Sequence, residues 1–476
     1  MQVSVAGLSF NQLNSNTQIY VAGGLRLADA LAVVIAGAAA YLVRSGTLPL
    51  EDSYWAALGL CTLLTLNAMG LAELYSLRTL RSPAAQVGRI VAAWTVVMMA
   101  MLALAFFTKT SEEFSRIWFL LWTAMGLTML FLNRFVGALI VSRLNRKGRL
   151  RARVAIVGAG GIGQRLAEHL SGHGAKGSTV VGVWDDRGTR VPPAISGFQV
   201  RGTVDDLIAF ARENEVDDII IALPWQASAR IRQVARQLYV VPANVRICPD
   251  LVGFGIPLRG FSSMEGVPLL NIYERPLSGW ALLTKALEDR ALALLMLLLF
   301  APLMLLVALA IKLDSRGPVL FRQRRYGFNN NPFDVFKFRS MRVEAADDPT
   351  ARQATRGDPR ITRVGAFLRR TSLDELPQLL NVLRGDMSIV GPRPHAVAHN
   401  EKYARVIDEY MCRHRVKPGI TGWAQINGWR GETETPEKMS MRVQYDLYYI
   451  ENWSLLFDLR ILFMTAFVGF TNRNAY

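Results

Sequence analysis

Cysteine is nearly absent: the 476 residues hold three, Cys61, Cys248 and Cys412, far apart in the chain. No C-x-x-C pair or Cys/His cluster occurs, which argues against a zinc module and a disulfide framework. Charge is scarce as well: Asp, Glu, Lys and Arg make up 19%, against roughly 25% in an ordinary soluble domain. The N-terminus lacks a basic stretch followed by a small-residue cleavage site, so no removable signal peptide is expected. Tyr-x-x-x-Lys is missing too: none of the 13 tyrosines has a lysine four positions on, which weighs against a catalytic short-chain dehydrogenase or dehydratase. What fills the chain is apolar. Hydrophobic residues reach 51% and mean hydropathy is +0.21, so disordered, collagen-like and small disulfide-stapled classes are excluded. A membrane is the first place for the excess.

Four long apolar stretches, approximately Ile19–Val43, Tyr54–Tyr75, Ile90–Phe107 and Ile117–Val141, occupy the first third. Each is near the ~20 residues that cross a ~30 Å hydrocarbon core. Arg78, Arg81 and Arg89 follow the second stretch, and Arg143, Arg146, Lys147, Arg149, Arg151 and Arg153 follow the fourth, with no acid among them. Basic residues after even-numbered spans put both ends of the bundle in the cytoplasm. Asn133 and Arg134 interrupt the fourth stretch and are expected to face the bundle interior or to snorkel. The net charge of +16 lies beside apolar segments rather than on a nucleic-acid module, so nucleic acid is rejected as a partner. Anionic headgroups and phosphate-bearing substrates suit it better.

After the basic cluster comes RVAIVGAGGIGQRLAEHL. Arg153–Val157 reads as a buried strand, and Gly158, Gly160 and Gly163 form G-x-G-x-x-G at the head of a helix. A second strand, Val180–Trp184, ends in Asp185–Asp186, 22 residues past Gly163. This spacing suits a pyrophosphate at the helix N-terminus and a ribose on Asp185. A glycine turn also serves plain strand-to-helix packing, and fold does not imply function. With apolar runs at Asp218–Leu223 and Asn244–Cys248, residues ~152–275 read as a Rossmann-like α/β domain with a parallel sheet.

Ala291–Leu313 is apolar again, with Pro302 near its middle. About 23 residues could cross once if straight, at ~35 Å. Pro302 favours a break at mid-depth, and basic residues flank both ends: Lys285 and Arg290 before, Lys312, Arg316, Arg322, Arg324 and Arg325 after. Positive-inside charge wants both flanks in the cytoplasm, which favours a re-entrant hairpin.

Beyond it, short polar motifs become dense, and residues 315–370 carry 13 basic against 5 acidic side chains. The adjacent Asp374 and Glu375 lie close in sequence to Arg369, Arg370 and Arg384. Pro377 places a helix start near Leu373–Pro377, so both acids would sit at a positive helix end. There they could hold Mg²⁺ against substrate oxygens, or one could attack a phosphoryl group. A capping box, Ser372-x-x-Glu375, explains the same two residues more cheaply. Lys337, Arg339 and Arg393 are candidate phosphate clamps, though each alone is more often solvated or ion-paired. Trp423, Trp429, Trp453, Tyr445, Tyr448 and Tyr449 suit a membrane interface or a core.

Several motifs recur here in a fixed order: Gly317-Pro318…Gln323-x-Arg325-x-Gly327, Lys337-Phe338-Arg339-Ser340-Met341, Ser372-Leu373-Asp374-Glu375-Leu376-Pro377-Gln378, Gly391-Pro392-Arg393-Pro394 and Lys417-Pro418-Gly419-Ile420-Thr421-Gly422. With them, residues ~281–476 strongly resemble the catalytic domain of the bacterial polyprenyl-phosphate hexose-1-phosphate transferases, the large monotopic phosphoglycosyl transferases. The bundle and the α/β domain match the larger members, and the chain looks most like those that use glucose and start exopolysaccharide repeat units. The resemblance implies that Asp374 attacks the sugar-bearing phosphate of a UDP-hexose, expels UMP, and passes the sugar phosphate to undecaprenyl phosphate. It implies that Glu375, with Asp374, holds Mg²⁺, and that Lys337, Arg339, Arg393, Gln323 and Arg325 contact substrate. Smaller members break the membrane helix at Ser-Pro, whereas here Ala301 precedes Pro302.

The expected organisation is a four-helix transmembrane bundle (1–150), a Rossmann-like α/β domain (151–278), a re-entrant hairpin (279–316) and an α/β catalytic domain (317–476). The expected place is the bacterial inner membrane, with the catalytic domain facing the cytoplasm and a homodimer as a compatible assembly. Rival readings are UDP-galactose as donor, a membrane-anchored NAD-dependent nucleotide-sugar dehydratase working through Gly158–Gly163, and a non-catalytic nucleotide sensor.

Overall fold

The computed structural model describes residues 17–75, 83–146, 151–172, 177–188, 191–249, 262–264, 267–342, 359–395, 397–407, 409–429, 431 and 435–471. The chain divides into two compact units, one ending at Arg151 and the other beginning at Ala152. Arg78, Arg81, Lys147 and Arg149, on which the expected orientation partly rests, lie outside the described residues.

The first unit contains α1 (Thr17–Ser45), α2 (Asp52–Leu71), α3 (Pro83–Phe107) and α4 (Arg116–Arg146). All four are long and apolar enough to cross a membrane. Buried indoles fasten the helices: Trp118 and Trp122 donate to the carbonyls of Gly37 and Val33 at 2.9 and 3.0 Å. Polar side chains turn inward. Arg134 is buried and pairs with Asp29 at 2.6 Å, and Tyr75 and Asn133 donate to the same carboxylate. Arg134 thus faces the interior and does not snorkel, since pairing spares both charges from lipid.

The second unit opens with β1 (Ala152–Val157), α5 (Gly161–Ser171), β2 (Ser178–Trp184), α6 (Val204–Glu213), β3 (Asp218–Ile221), α7 (Ser228–Leu238), β4 (Asn244–Ile247), β5 (Ser262–Met264) and β6 (Val267–Tyr273). The sheet order is β2-β1-β3-β4-β6-β5. The first four are parallel and β6 and β5 run antiparallel. Parallel strands joined by helices are buried on both faces, which is why β3 reads as an unbroken apolar run.

Next comes α8 (Gly279–Asp314), 36 residues with Pro302 inside. The break expected at Pro302 does not occur: helical structure continues through it. Proline deletes one donor, while the flanking Leu- and Ala-rich turns keep their own hydrogen bonds. Both ends of α8 are tied to the C-terminal part of the chain. Asp289 accepts from Ser388 Oγ and from the Ile389 amide, both at 2.9 Å. Asp314 accepts from the Val364 amide at 3.2 Å. Between these anchors Leu294, Leu295, Leu298, Leu299, Leu305, Leu306 and Leu309 are exposed.

The C-terminal part adds a hairpin, β7 (Leu320–Tyr326) and β8 (Pro332–Phe338), then α9 (Arg363–Thr371), α10 (Gln378–Arg384), β9 (Ser388–Val390), α11 (Val397–Ala404), β10 (Gly419–Thr421), α12 (Pro436–Glu451) and α13 (Leu455–Thr471). Its core gathers Leu379, Val382, Ile389, Tyr410, Val443 and Ile450 around the short parallel pair β9–β10.

Candidate active site

Three separate segments build the site. The β7–β8 hairpin carries Gln323, Arg325 and Lys337, with Val335 opposite Gln323 and Lys337 opposite Phe321. The second segment leaves α9 through Ser372 in the left-handed region (φ 59°) and forms a single 3₁₀ turn, Leu373–Glu375, before α10 begins at Gln378. The acids therefore precede the helix instead of occupying its first turn, because Pro377 caps it. Asn381 fixes this segment to the hairpin. Its amide donates to the Asp334 carbonyl at 2.7 Å and its oxygen accepts from the Phe336 amide at 2.9 Å, as a neighbouring strand would. The third segment follows β9. A Cβ on Gly419 would lie 2.1 Å from the Gly391 nitrogen, so only glycine lets the two strands approach and launch Gly391-Pro392-Arg393-Pro394 towards the acids.

These segments place Glu375 in a clamp. Lys337 Nζ donates to Oε1 at 2.8 Å, and Arg393 donates through Nη2 to Oε1 at 2.6 Å and through Nη1 to Oε2 at 3.2 Å. Burial alone would raise the Glu375 pKa, but Arg393 and Lys337 outweigh it and hold the group well below its usual range. Ser372 makes no side-chain cap bond, so the capping-box reading fails. Asp374, next in the turn and also buried, behaves oppositely. Burial raises its pKa and the Glu375 charge adds to the rise, against Lys337, Arg369 and Arg393. Neighbouring carboxylates with divergent environments often mark different roles.

Gln323 and Arg325 come to the same place. Arg325 donates to Gln323 Oε1 at 2.7 Å and to the Pro394 carbonyl. Burial, with the like charge of Arg393, lowers its pKa to about 10. Arg339 is a correction. It is buried and donates to the carbonyls of Ser315 and Arg316 at 2.6 and 2.9 Å, satisfying the C-terminal end of α8. Its fork serves backbone oxygens, and it is no phosphate clamp in this arrangement.

The donor set suits Mg²⁺ poorly. Both Glu375 oxygens are taken by Lys337 and Arg393, which leaves Asp374 as the one neighbouring carboxylate for Mg²⁺ beside substrate phosphates. Glu375 as a metal-holding acid is therefore not what the geometry presents.

The α/β domain also departs from expectation. Asp185, meant for a ribose, accepts from the Ala159 amide at 2.7 Å and from Arg187 Nε and Nη2 at 2.9 and 2.7 Å. Gly158 (φ 113°) and Gly163 are explained by packing, since a Cβ on Gly163 would lie 1.9 Å from the Gly158 oxygen. Only Gly160 and Gly161 leave open space, with Arg187 3.6 Å from a Cβ on Gly160.

Sequence reasoning missed five buried residues behind Arg393. Arg413 donates to the Arg393 carbonyl at 2.8 Å and pairs with Asp446 at 2.6 Å. His395 lies 2.6 Å from both the Tyr410 hydroxyl and Arg413 Nη1, and its Nε2 is 3.2 Å from Arg442. Burial and these cations keep His395 neutral, its pKa well below the usual value. The signal that could have found them was the apolar face of α12, into which Arg442 and Asp446 intrude.

The chain is similar to known proteins over most of its length. Residues 280–472 match the family model described as bacterial sugar transferase, and residues 70–249 match one described as a CoA-binding domain. The chain is 45% identical over 383 residues to the UDP-glucose:undecaprenyl-phosphate glucose-1-phosphate transferase of Escherichia coli (strain K12), covering 80% of this chain and 81% of that one. It is 38% identical over 455 residues to the protein of the same name from Xanthomonas campestris pv. campestris, covering 95% and 94%. It is 31% identical over 408 residues to an undecaprenyl-phosphate galactose phosphotransferase of Salmonella typhimurium, covering 80% and 81%.

Proposed function

The chain belongs to the bacterial polyprenyl-phosphate hexose-1-phosphate transferases, and from that premise we propose that it moves glucose 1-phosphate from UDP-glucose to undecaprenyl phosphate through an aspartyl intermediate on Asp374. The single observation that carries the reading is the division of labour between adjacent carboxylates. Glu375 is immobilised between Lys337 and Arg393. Asp374 is buried beside it, and no hydrogen bond to its carboxylate is found among the described residues.

An Asp374 oxygen attacks the phosphorus that bears the sugar. The bond from that phosphorus to the bridging oxygen breaks, and UMP leaves with the oxygen and its electron pair. The acyl phosphate is then attacked at phosphorus by an oxygen of undecaprenyl phosphate, which restores the Asp374 carboxylate and yields the lipid diphosphate sugar. One phosphoanhydride is lost and one is gained, so the exchange needs no other energy source. Lys337 and Arg393 stabilise charge on the transferring phosphate, and a covalent relay lets a water-soluble donor and a lipid acceptor share one site.

Placement supports the acceptor. In this reading α1 to α4 cross the inner membrane, while α8, helical throughout, bends at Pro302 without breaking so that it enters and leaves one leaflet, with the catalytic domain in the cytoplasm. The anchoring of both its ends to the same domain and the exposed leucines between them support that path, which brings the site to headgroup depth. Magnesium would enter with the donor's diphosphate, since Glu375 is held by Lys337 and Arg393. The identity with glucose transferases favours glucose over galactose.

The test is transfer from UDP-glucose labelled in the sugar-bearing phosphate to purified full-length protein without acceptor. Label on Asp374, released as lipid diphosphate glucose when undecaprenyl phosphate is added and absent in Asp374→Asn, is the expected result. Turnover without any protein-bound label, in rapid-quench samples, overturns the covalent route.

A further inference from the structure

The site carries more buried positive charge than its own acids neutralise. Among the described residues, Arg325, Lys337, Arg393, Arg413 and Arg442 face Asp374, Glu375 and Asp446, which leaves a surplus of two positive charges, to which Arg369 adds a third through its field on Asp374. The surplus is localised. Lys337 and Arg393 share Glu375, and Arg413 has Asp446. Arg325 and Arg442 have only neutral partners. Arg325 bonds Gln323 and the Pro394 carbonyl. Arg442 donates to the Gly431 carbonyl at 2.6 Å and lies against His395 Nε2.

Arg442 is 6% exposed, and its Nε has no hydrogen-bond partner. A buried guanidinium with an idle donor is costly unless an acceptor arrives. His395 sharpens the deficit. A neutral imidazole has one acceptor nitrogen, yet Arg413 approaches both ring nitrogens, at 2.6 and 3.1 Å, and Arg442 approaches one of them. Two guanidinium groups therefore compete for a single imidazole acceptor.

We propose that Arg442 and Arg325, grouped about His395, bind the diphosphate of the nucleotide-sugar donor, and that Arg442 takes the phosphate departing with the nucleoside. The proposal rests on the transferase reading above. A diphosphate diester offers two adjacent charged phosphates to the two arginines that lack an acid partner, whereas the lipid acceptor offers one phosphate group. The planar forks of two arginines suit the closely spaced oxygens of a diphosphate. As the anion arrives, the idle Nε gains its acceptor, and when UMP leaves the unsatisfied state returns, which favours the next donor.

The experiment uses full-length protein in detergent, with Arg442→Gln, Arg442→Lys and Arg325→Gln beside wild type. UDP binding is read by calorimetry, and KM is measured separately for UDP-glucose and undecaprenyl phosphate. Arg442→Gln is expected to weaken UDP binding about tenfold or more and to raise the donor KM in step. The acceptor KM stays unchanged, and Arg442→Lys recovers part of the loss. Binding within about twofold of wild type, or a penalty on the acceptor KM alone, overturns the proposal. If Arg442→Gln does not fold, Arg442→Lys and Arg325→Gln decide by the same criteria. UDP binding that depends on Arg442 in a protein releasing no UMP from any UDP-hexose would leave this site standing and remove the transferase reading instead.

Discussion

Replacing Glu375 by glutamine separates two roles for one carboxylate, counter-charge and metal ligand. In the structure it neutralises Lys337 at 2.8 Å and Arg393 at 2.6 Å, with side-chain exposures of 10% for Glu375, 17% for Lys337 and 23% for Arg393. Glutamine keeps the shape but not the charge, and its amide donors would face one of the two cations. Breaking a buried pair costs about 3–5 kcal/mol. The residual exposure puts this one at the lower end, about 3 kcal/mol. For a catalytic domain of ordinary size that is a fall of about 6–12 °C in melting temperature. The pH dependence has a definite sign. Burial opposes ionisation of Glu375, but Arg393 and Lys337 overcome it and depress the folded pKa. The stabilisation is therefore complete above the usual carboxylate range and is lost only as pH falls through the depressed value. Thermal unfolding of the solubilised protein, followed by tryptophan fluorescence, should show one constant deficit across about pH 6–8, with Mg²⁺ or with EDTA. A variant as stable as wild type in EDTA and weaker only with Mg²⁺ would refute the counter-charge reasoning and restore Glu375 as a metal ligand.

Three further outcomes follow from the same geometry. Asp374 must be ionised to attack, and burial and Glu375 raise its pKa, so the acid limb of UMP release should lie above the range of an ordinary aspartate. In Glu375→Gln that limb should move to lower pH as the repulsion disappears, and an unmoved limb would assign it to another group. Arg339→Gln should lower the melting temperature by loosening the end of α8, at about 1.5–3 kcal/mol per charged hydrogen bond, while leaving the donor KM alone. A raised KM at unchanged stability would return Arg339 to substrate binding. Asp458, fully buried, accepts from Lys285 at 2.6 Å, Tyr449 at 2.8 Å and Trp453 at 2.9 Å. Lys285 also pairs with Asp289 at 3.0 Å, so Asp458→Asn should cost less than the about 3–5 kcal/mol of a fully orphaned charge, and the double variant Lys285→Met/Asp458→Leu, which leaves Asp289 without its cation, should be less stable than Asp458→Asn. A double variant more stable than Asp458→Asn would contradict the charge argument.

What was legible in the sequence is what depends on local chemistry. Twenty-residue apolar runs, a glycine turn between a strand and a helix, and the adjacent pair Asp374-Glu375 each declare themselves within one segment. The meeting of Lys337, Glu375 and Arg393 does not, because it needs Asn381 to dock α10 on the hairpin and Gly391 and Gly419 to let two strands touch. Arginine is the hardest residue to place from sequence, since its fork serves any oxygen. Arg339 stands two positions from Lys337, a spacing that a continuing strand would put on one face, but β8 ends at Phe338 and Arg339 lies just beyond it. One reaches Glu375, the other the end of α8. Arg442 and Asp446 show the converse. One turn apart on α12, they read as an ordinary solvated i,i+4 pair, yet both are buried and Asp446 bonds Arg413 instead. Asp446 fixes Arg413, Arg413 holds the carbonyl of Arg393, and Arg393 grips Glu375. The clamp is thus positioned through a buried chain of charges that no single motif contains, and beside that chain Arg442 keeps an Nε with no hydrogen-bond partner.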